Sequence, residues 1–232
     1  MEALILAGGL GTRLKPFTTI IPKPLMPIGN MPILEVVIKQ LAKFGFKKIY
    51  LSVNYLAELI GTFFKDGKKF GVKIEYLFEE KPLGTMGPLK LIKKFPRNLL
   101  IINGDTLTDL NYSNFFNFHI DNKSLLTISS FARTVKIDFG VLRKNKINNE
   151  INGFTEKPII KYLVCMGVNA VNQKILEFIP ENESFGFDAL VKKLLKNKIK
   201  ALTYLHEGYW LDIGRHEDYE KANEEFCINK FI

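Results

Sequence analysis

Near its start the chain reads Leu6-Ala7-Gly8-Gly9-Leu10-Gly11-Thr12-Arg13, and Pro22-Lys23-Pro24 follows. Three glycines in four positions let backbone N–H groups come close to a ligand and turn towards anionic oxygens. Arg13 adds a permanent guanidinium fork that suits phosphate. Lys23 lies between two prolines that restrict its backbone, which suits a cation held in place to meet charge. The stretch is not a Walker A loop, because no Gly-Lys-Ser/Thr ends it, and Arg13 stands near where a Rossmann fingerprint would place its third glycine. The plain alternative is a glycine-rich tight turn beside a surface arginine.

These residues need elements to position them. Residues 2–7 form a short apolar run that reads as a buried strand feeding the glycine loop. Leu34, Val37, Ile38, Leu41 and Phe44 recur at helical spacing and stop at Gly45. Strands are expected over Lys48–Val53, Val72–Phe78 and Leu99–Asn103, with helices over Ala57–Phe64 and Met86–Phe95. This alternation argues for βαβ units and a mixed, mostly parallel sheet flanked by helices, an α/β Rossmann-like fold. Ligands of such sheets bind beyond the carboxyl ends of the strands. Gly8-Gly9 and Gly104-Asp105 both fall there, so the two could face one pocket. Further on, strands are expected over Ser124–Ala132, Phe139–Arg143, Tyr162–Val171 and Lys200–Leu205, with residues 153–158 as a connector. Helices are expected over Phe187–Leu195 and His216–Phe226. No linker or repeat divides the chain.

The opening loop with Pro22-Lys23-Pro24 resembles the signature of the sugar-1-phosphate nucleotidyltransferases. The resemblance continues through Glu79-Glu80-Lys81-Pro82-Leu83-Gly84-Thr85, Asn103-Gly104-Asp105, Glu156-Lys157-Pro158, Gly167-Val168-Asn169 and Trp210-Leu211-Asp212-Ile213-Gly214. It is nearest to the mannose-1-phosphate guanylyltransferase branch and the related heptose- and hexosamine-phosphate guanylyltransferases. It implies the nucleotide-diphospho-sugar transferase fold as a single domain over 1–232. Residues 1–106 would carry the nucleotide and 107–232 the sugar phosphate.

In such an enzyme a sugar-phosphate oxygen attacks the α-phosphorus of a nucleoside triphosphate in line and pyrophosphate leaves. Catalysis is then positioning plus charge neutralisation, with no need for a nucleophilic Ser, Cys or His. Two carboxylates can hold Mg²⁺ against phosphate oxygens, and the resemblance makes Asp105 and Asp212 those ligands. Arg13, Lys23 and Asp105 are the implied catalytic residues. The nucleotide would lie along Leu6, Ala7, Gly8, Gly9, Gly11, Thr12 and Arg13, with Pro82, Gly84 and Thr85 by the base and ribose. Glu80 is expected to accept the N1–H and N2 amino donors of guanine, which favours GTP, and Met86 to narrow that pocket. The sugar phosphate falls to Gly140, Glu156, Lys157 and Asn169. Alternatives are a uridylyl-, cytidylyl- or thymidylyltransferase on the same scaffold, or a non-catalytic nucleotide-sugar sensor. About twenty residues follow Asp212 and carry no hexapeptide repeat, so no C-terminal β-helix, acetyltransfer or β-helix trimer is expected.

Composition bounds the partners. The chain has 232 residues, 47% hydrophobic and 25% charged, with a formal charge of +9. Only five of its 33 basic residues are arginine (Arg13, Arg97, Arg133, Arg143 and Arg215), and the lysines are spread along the chain. That is unlike a nucleic-acid interface, which favours clustered arginine forks. Cys165 and Cys227 form no disulfide framework, and His119, His206 and His216 have no zinc spacing. No run is long enough to span a bilayer, and the first residues lack a basic leader. A cytoplasmic protein is expected, feeding surface-glycan assembly, with no nucleic-acid or membrane partner and with a homodimer left open.

Overall fold

The computed structural model describes residues 1–226 and residue 231. Cys227 therefore lies outside the described residues, while Cys165 is exposed and free. One seven-stranded sheet runs through both halves of the chain. Its strands are β1 (Glu2–Leu6), β2 (Lys48–Val53), β3 (Lys73–Phe78), β4 (Asn98–Asn103), β5 (Leu126–Lys136), β6 (Ile159–Asn172) and β7 (Leu202–His206). Their order across the sheet is β7-β5-β6-β4-β1-β2-β3. Only β6 runs against its neighbours. The sheet is thus mixed and mostly parallel, as the strand–helix alternation required.

Side-chain alternation divides the core between two faces. Ala3 and Ile5 of β1 point to one face, with Leu100 and Ile102 of β4. Three helices cover it: α1 (Ile33–Lys43), α2 (Ala57–Phe64) and α3 (Tyr112–Asp121). Leu4 and Ile101 point to the other face, under Met86, Leu89 and α4 (Phe187–Lys196). Helix α1 ends where Gly45 takes a left-handed φ of 83° and the Phe46 N–H donates back to the Leu41 carbonyl at 2.9 Å. That is the conformation a glycine stop provides. A third cluster packs Leu14, Met26, Ile28, Leu107 and Ile213 against α5 (His216–Glu225), below the functional loops.

The structure departs from the expected elements in three places. Met86–Phe95 is no α-helix; a 3-10 turn covers Gly87–Leu91. Met86, Gly87, Pro88 and Leu89 are buried in a row, which leaves no solvent face for an amphipathic helix, and Ile92 is already extended. Of the expected connector 153–158, residues 153–155 are strand: Ile151–Thr155 pairs antiparallel with Val141–Lys144 as a separate ribbon. Helix α3 was not anticipated, although Tyr112, Phe115, Phe116 and His119 form its buried stripe and the Asn111 side chain caps it.

His119 is fully buried on α3, its Nδ1 2.9 Å from the Thr127 hydroxyl and its Nε2 without a partner among the described residues. Burial pushes its pKa down to about 4. The unfolded chain therefore takes up this proton first as pH falls, and the folded state loses stability between the unfolded value and about 4. Urea unfolding should show a loss of about 2 kcal/mol from pH 7 to pH 5 attributable to this group. His119→Phe should flatten that slope; an unchanged slope would remove His119 as its cause.

Candidate active site

In the order β3-β2-β1-β4 the chain direction across the sheet reverses between β1 and β4, the place where open α/β sheets bind ligands. The glycine loop leaves β1 there and Asp105 follows β4. The Gly104 N–H donates to the Leu6 carbonyl at 2.9 Å, which ties the two exits together. A Cβ at Gly104 would stand 3.1 Å from that same oxygen.

A small ribbon brings in the second acid. Thr106–Thr108 pairs antiparallel with Trp210–Asp212, and Asp212 lies opposite Thr106. The Ile213 N–H extends the pairing to the Asp105 carbonyl at 3.2 Å. Residues 107 sequence positions apart thereby become neighbours, with Leu107 and Ile213 anchoring the ribbon in the third core cluster.

Two cations answer the two acids. Lys23, on the 3-10 turn Lys23–Leu25, places its Nζ against Asp105 Oδ2. Gly11 has φ 60°, and a Cβ there would be 2.9 Å from the Thr18 methyl; the Thr18 hydroxyl donates to the Gly11 carbonyl at 2.8 Å. The loop is thus folded back onto the segment that carries Lys23. At Gly214 a Cβ would lie 3.3 Å from Arg13 Nη1 and 3.4 Å from Asp212 Oδ2, so glycine leaves these two groups room to face each other. Burial, and then the Asp105 charge, hold the Asp212 carboxyl above its usual range, while Lys23 and Arg13 pull it back. Asp105 Oδ1 is buried without a hydrogen-bond partner among the described residues. Among the described residues no group of three or more His, Cys, Asp or Glu side chains could hold a metal ion. A hard cation at this carboxylate pair would take its other oxygens from phosphate and water, as Mg²⁺ commonly does.

Two adjoining cavities open from this cluster. One of about 220 Å³ is lined by Gly9, Gly11, Thr12, Arg13, Lys23 and Asp105. The other, about 340 Å³, runs from Gly8, Gly9 and Asp105 to Pro82, Gly84 and Thr85, with Leu6 also on its wall. Ala7 borders a smaller recess beside Lys23. Gly84 has φ 74° and backs onto Phe185, whose carbonyl would be 2.8 Å from a Cβ. Thr85 accepts the Phe187 N–H at 2.7 Å and so anchors the loop to the start of α4.

Glu80 is exposed and does not line the larger cavity; Glu79 does. Leu77 is buried and Phe78 exposed, so alternation at the end of β3 turns Glu79 inwards. The Glu79 carboxylate accepts the Ser52 hydroxyl on Oε1 and the Leu83 N–H on Oε2 at 2.9 Å. Met86 packs in the core instead of narrowing this cavity. Asn54, and Asn103 and Gly214 from the stretches quoted above, also line the cavities, although none was expected as a binding residue. Gly140, Glu156 and Lys157 sit exposed at the outer ribbon, Gly140 packed so tightly that a Cβ would be 3.0 Å from Glu156 Oε2. Asn169 is buried in β6, its Oδ1 without a partner among the described residues. None of these four lines the two cavities.

The nucleotidyl transferase family profile matches residues 2–228. The chain belongs to that family. It is 37% identical over 224 residues to the D-glycero-alpha-D-manno-heptose 1-phosphate guanylyltransferase of Campylobacter jejuni, covering 94% of this chain and 97% of that one. It is 33% identical to the mannose-1-phosphate guanyltransferase of Debaryomyces hansenii, covering all of this chain and 69% of the relative. A UTP–glucose-1-phosphate uridylyltransferase of Synechocystis is 31% identical, with 96% of this chain matched to 62% of the relative. Among solved structures, HddC from Yersinia pseudotuberculosis complexed with GMP-PN superposes with a TM-score of 0.73 at 31% identity, over 97% of this chain and 99% of that one.

The two loop glycines make separable predictions for this nucleotidyltransferase. Among the described residues no atom beyond its own chain neighbours lies within 4 Å of a Cβ placed on Gly9. Gly9→Ala should leave urea stability within about 0.5 kcal/mol of wild type yet weaken nucleotide binding, because the new methyl enters the cavity. Gly84→Ala should cost about 1–3 kcal/mol of stability, from its left-handed backbone and the Phe185 clash. Equal behaviour of the two variants would contradict this geometry.

Proposed function

We propose that the protein transfers a guanylyl group from GTP to a sugar 1-phosphate with Mg²⁺, giving a GDP-sugar and pyrophosphate. The observation that carries this reading is the meeting of Arg13, Lys23, Asp105 and Asp212 where the β1 and β4 exits face each other. The C. jejuni and D. hansenii relatives support the choice of a sugar phosphate and of guanine.

The base enters the larger cavity, where Glu79 is held by Ser52 and the Leu83 amide. A carboxylate has about four lone-pair sites, so two remain for the paired donors of guanine. The ribose lies along Gly84 and Thr85, and the triphosphate turns past Gly8 and Gly9 into the cavity between Lys23 and Arg13. Backbone amides of the loop meet its oxygens. Lys23 and Arg13 offset charge that builds on the phosphates as the bond order to the β-phosphate oxygen falls. Asp105 and Asp212 are the residues that would hold Mg²⁺. Bound there, the ion would supply charge neutralisation at the α-phosphate oxygens. The acceptor phosphate, a ready nucleophile at neutral pH, attacks the α-phosphorus, the bond to the bridging oxygen breaks, and pyrophosphate carries both electrons of that bond away. Lys157 and Glu156 are assigned to the acceptor phosphate and the sugar hydroxyls, Asn169 and Gly140 to the same end.

With GTP, Mg²⁺ and a panel of sugar 1-phosphates, the purified protein should release pyrophosphate. Asp105→Asn should reduce that release at least ~100-fold, as loss of a metal ligand does. Undiminished turnover in this variant would remove Asp105 from the reaction. For the base, Glu79→Gln should cut the preference for GTP over UTP by about tenfold or more, whereas Glu80→Gln should not. The reverse pattern would return base selection to Glu80.

A further inference from the structure

The ribbon that carries Asp212 to Asp105 pairs only three residues a strand, Thr106–Thr108 with Trp210–Asp212. A two-stranded unit of that length does not hold itself together in water, so groups outside the ladder must fix it. Leu107 and Ile213 anchor it from below in the third core cluster. Hydrophobic contact has no direction and does not by itself choose a register. Register decides the site, because a slip of one residue would turn Asp212 to the opposite face of the ribbon.

At the other end of the ribbon the polar contacts converge on Asp109. Its Oδ1 accepts the Tyr209 N–H at 2.6 Å and lies 2.8 Å from His206 Nε2. The Tyr209 carbonyl stands 3.3 Å from the same nitrogen, and a carbonyl can only accept, so Nε2 carries the hydrogen and donates. That carbonyl also takes the Asp109 N–H at 3.2 Å and the Thr108 hydroxyl at 2.7 Å. His206 is the last residue of β7, the edge strand of the central sheet. One carboxylate oxygen thus ties the end of one ribbon strand, the start of the other and the sheet edge together. Gly208 lets the chain between His206 and Tyr209 pass: a Cβ there would overlap Asp109 Oδ1 and stand 2.8 Å from the His206 ring. From the opposite side the buried Gln40 of α1 donates to the Thr108 carbonyl at 2.6 Å. Asp109 and His206 line neither cavity of the candidate active site. Tyr209 is three residues from Asp212, about 10 Å along a strand, so a change at Asp109 reaches the carboxylate pair through the ribbon.

We propose that Asp109, acting with His206, is a positioning residue for the reaction: it sets the register of the ribbon and hence the placing of Asp212 beside Asp105. The proposal rests on the reading above that these two acids hold the metal ion. Neither Asp109 nor His206 touches substrate. A cation shared by two carboxylates loses affinity when the group that orients one of them is removed, and here that group is the Asp109 carboxylate.

The test titrates Mn²⁺ into the full chain with a non-hydrolysable GTP analogue, reading free Mn²⁺ by electron paramagnetic resonance. Asp109→Ala should raise the Mn²⁺ dissociation constant about tenfold and speed amide hydrogen exchange from Tyr209 to Asp212. Its affinity for the analogue without metal should stay within about twofold of wild type. Asp109→Asn should restore most of the loss, because its amide oxygen still accepts from Tyr209 and His206. Leu194→Ala, a core deletion on α4 that lowers stability without touching the ribbon, should leave the Mn²⁺ constant within about twofold. Where Asp109→Ala does not fold, Gly208→Ala reads the same contact, since its methyl presses on the carboxylate, and should shift the constant the same way. A constant unchanged in Asp109→Ala, an equal rise in Leu194→Ala, or Asp109→Asn as impaired as Asp109→Ala overturns the proposal. Wild type that binds no Mn²⁺ overturns it too. Wild type that releases no pyrophosphate while Asp109→Ala still weakens Mn²⁺ binding sinks the reaction and keeps the positioning role.

Discussion

Two carboxylates brought side by side in a half-buried place repel each other and lose hydration, so Asp105 and Asp212 need positive charge close by. The raised Asp212 carboxyl records that tension, since burial and Asp105 push it up while Lys23 and Arg13 oppose them. Lys23 meets one oxygen of Asp105 and leaves the other buried, with no partner among the described residues. The arrangement is incomplete by itself. A cation shared with phosphate oxygens would complete it, which is why the same four residues serve both folding electrostatics and the proposed chemistry.

The rest of the molecule holds that cluster in register. Parallel strands on both sides of β1 bring the glycine loop and the β4 exit to one end of the sheet. The Thr106–Thr108 and Trp210–Asp212 ribbon then carries Asp212 across from the far end of the sequence, pinned below by Leu107 and Ile213. Each supporting contact is backbone pairing or close packing, so a shift of one residue would separate the acids. Positioning of this kind suits phosphoryl chemistry, where there is little covalent work for side chains to do.

Much of this was legible in the sequence because β1, β2 and β4 are covered on both faces and read as continuous apolar runs. The loop residues from Gly8 to Arg13, with Lys23 and Asp105, were legible because glycine spacing, proline flanks and strand ends are local signals. Glu79 lines the larger cavity and Glu80 does not, a difference that strand parity sets, since Glu79 lies two residues on from buried Leu77. Helix α3 was missed although its stripe from Tyr112 to His119 has helical spacing, since its aromatic residues are weak helix formers. The Met86 segment misled because Met86, Leu89 and Ile92 recur at a spacing a helix also has, while the chain there forms only the short 3-10 turn Gly87–Leu91. Gly214 closes the Trp210–Gly214 stretch, but its place between Arg13 and Asp212 arises from elements that meet only in the folded chain.

Anomalous diffraction from crystals grown with Mn²⁺ and a non-hydrolysable GTP analogue tests the carboxylate pair most directly. One manganese peak is expected, bonded to both Asp105 and Asp212 and to an α-phosphate oxygen, with Arg13 turned to the β- and γ-phosphates. A nucleotide bound with no peak between the two carboxylates, or with Arg13 pointing away from the phosphates, would contradict it.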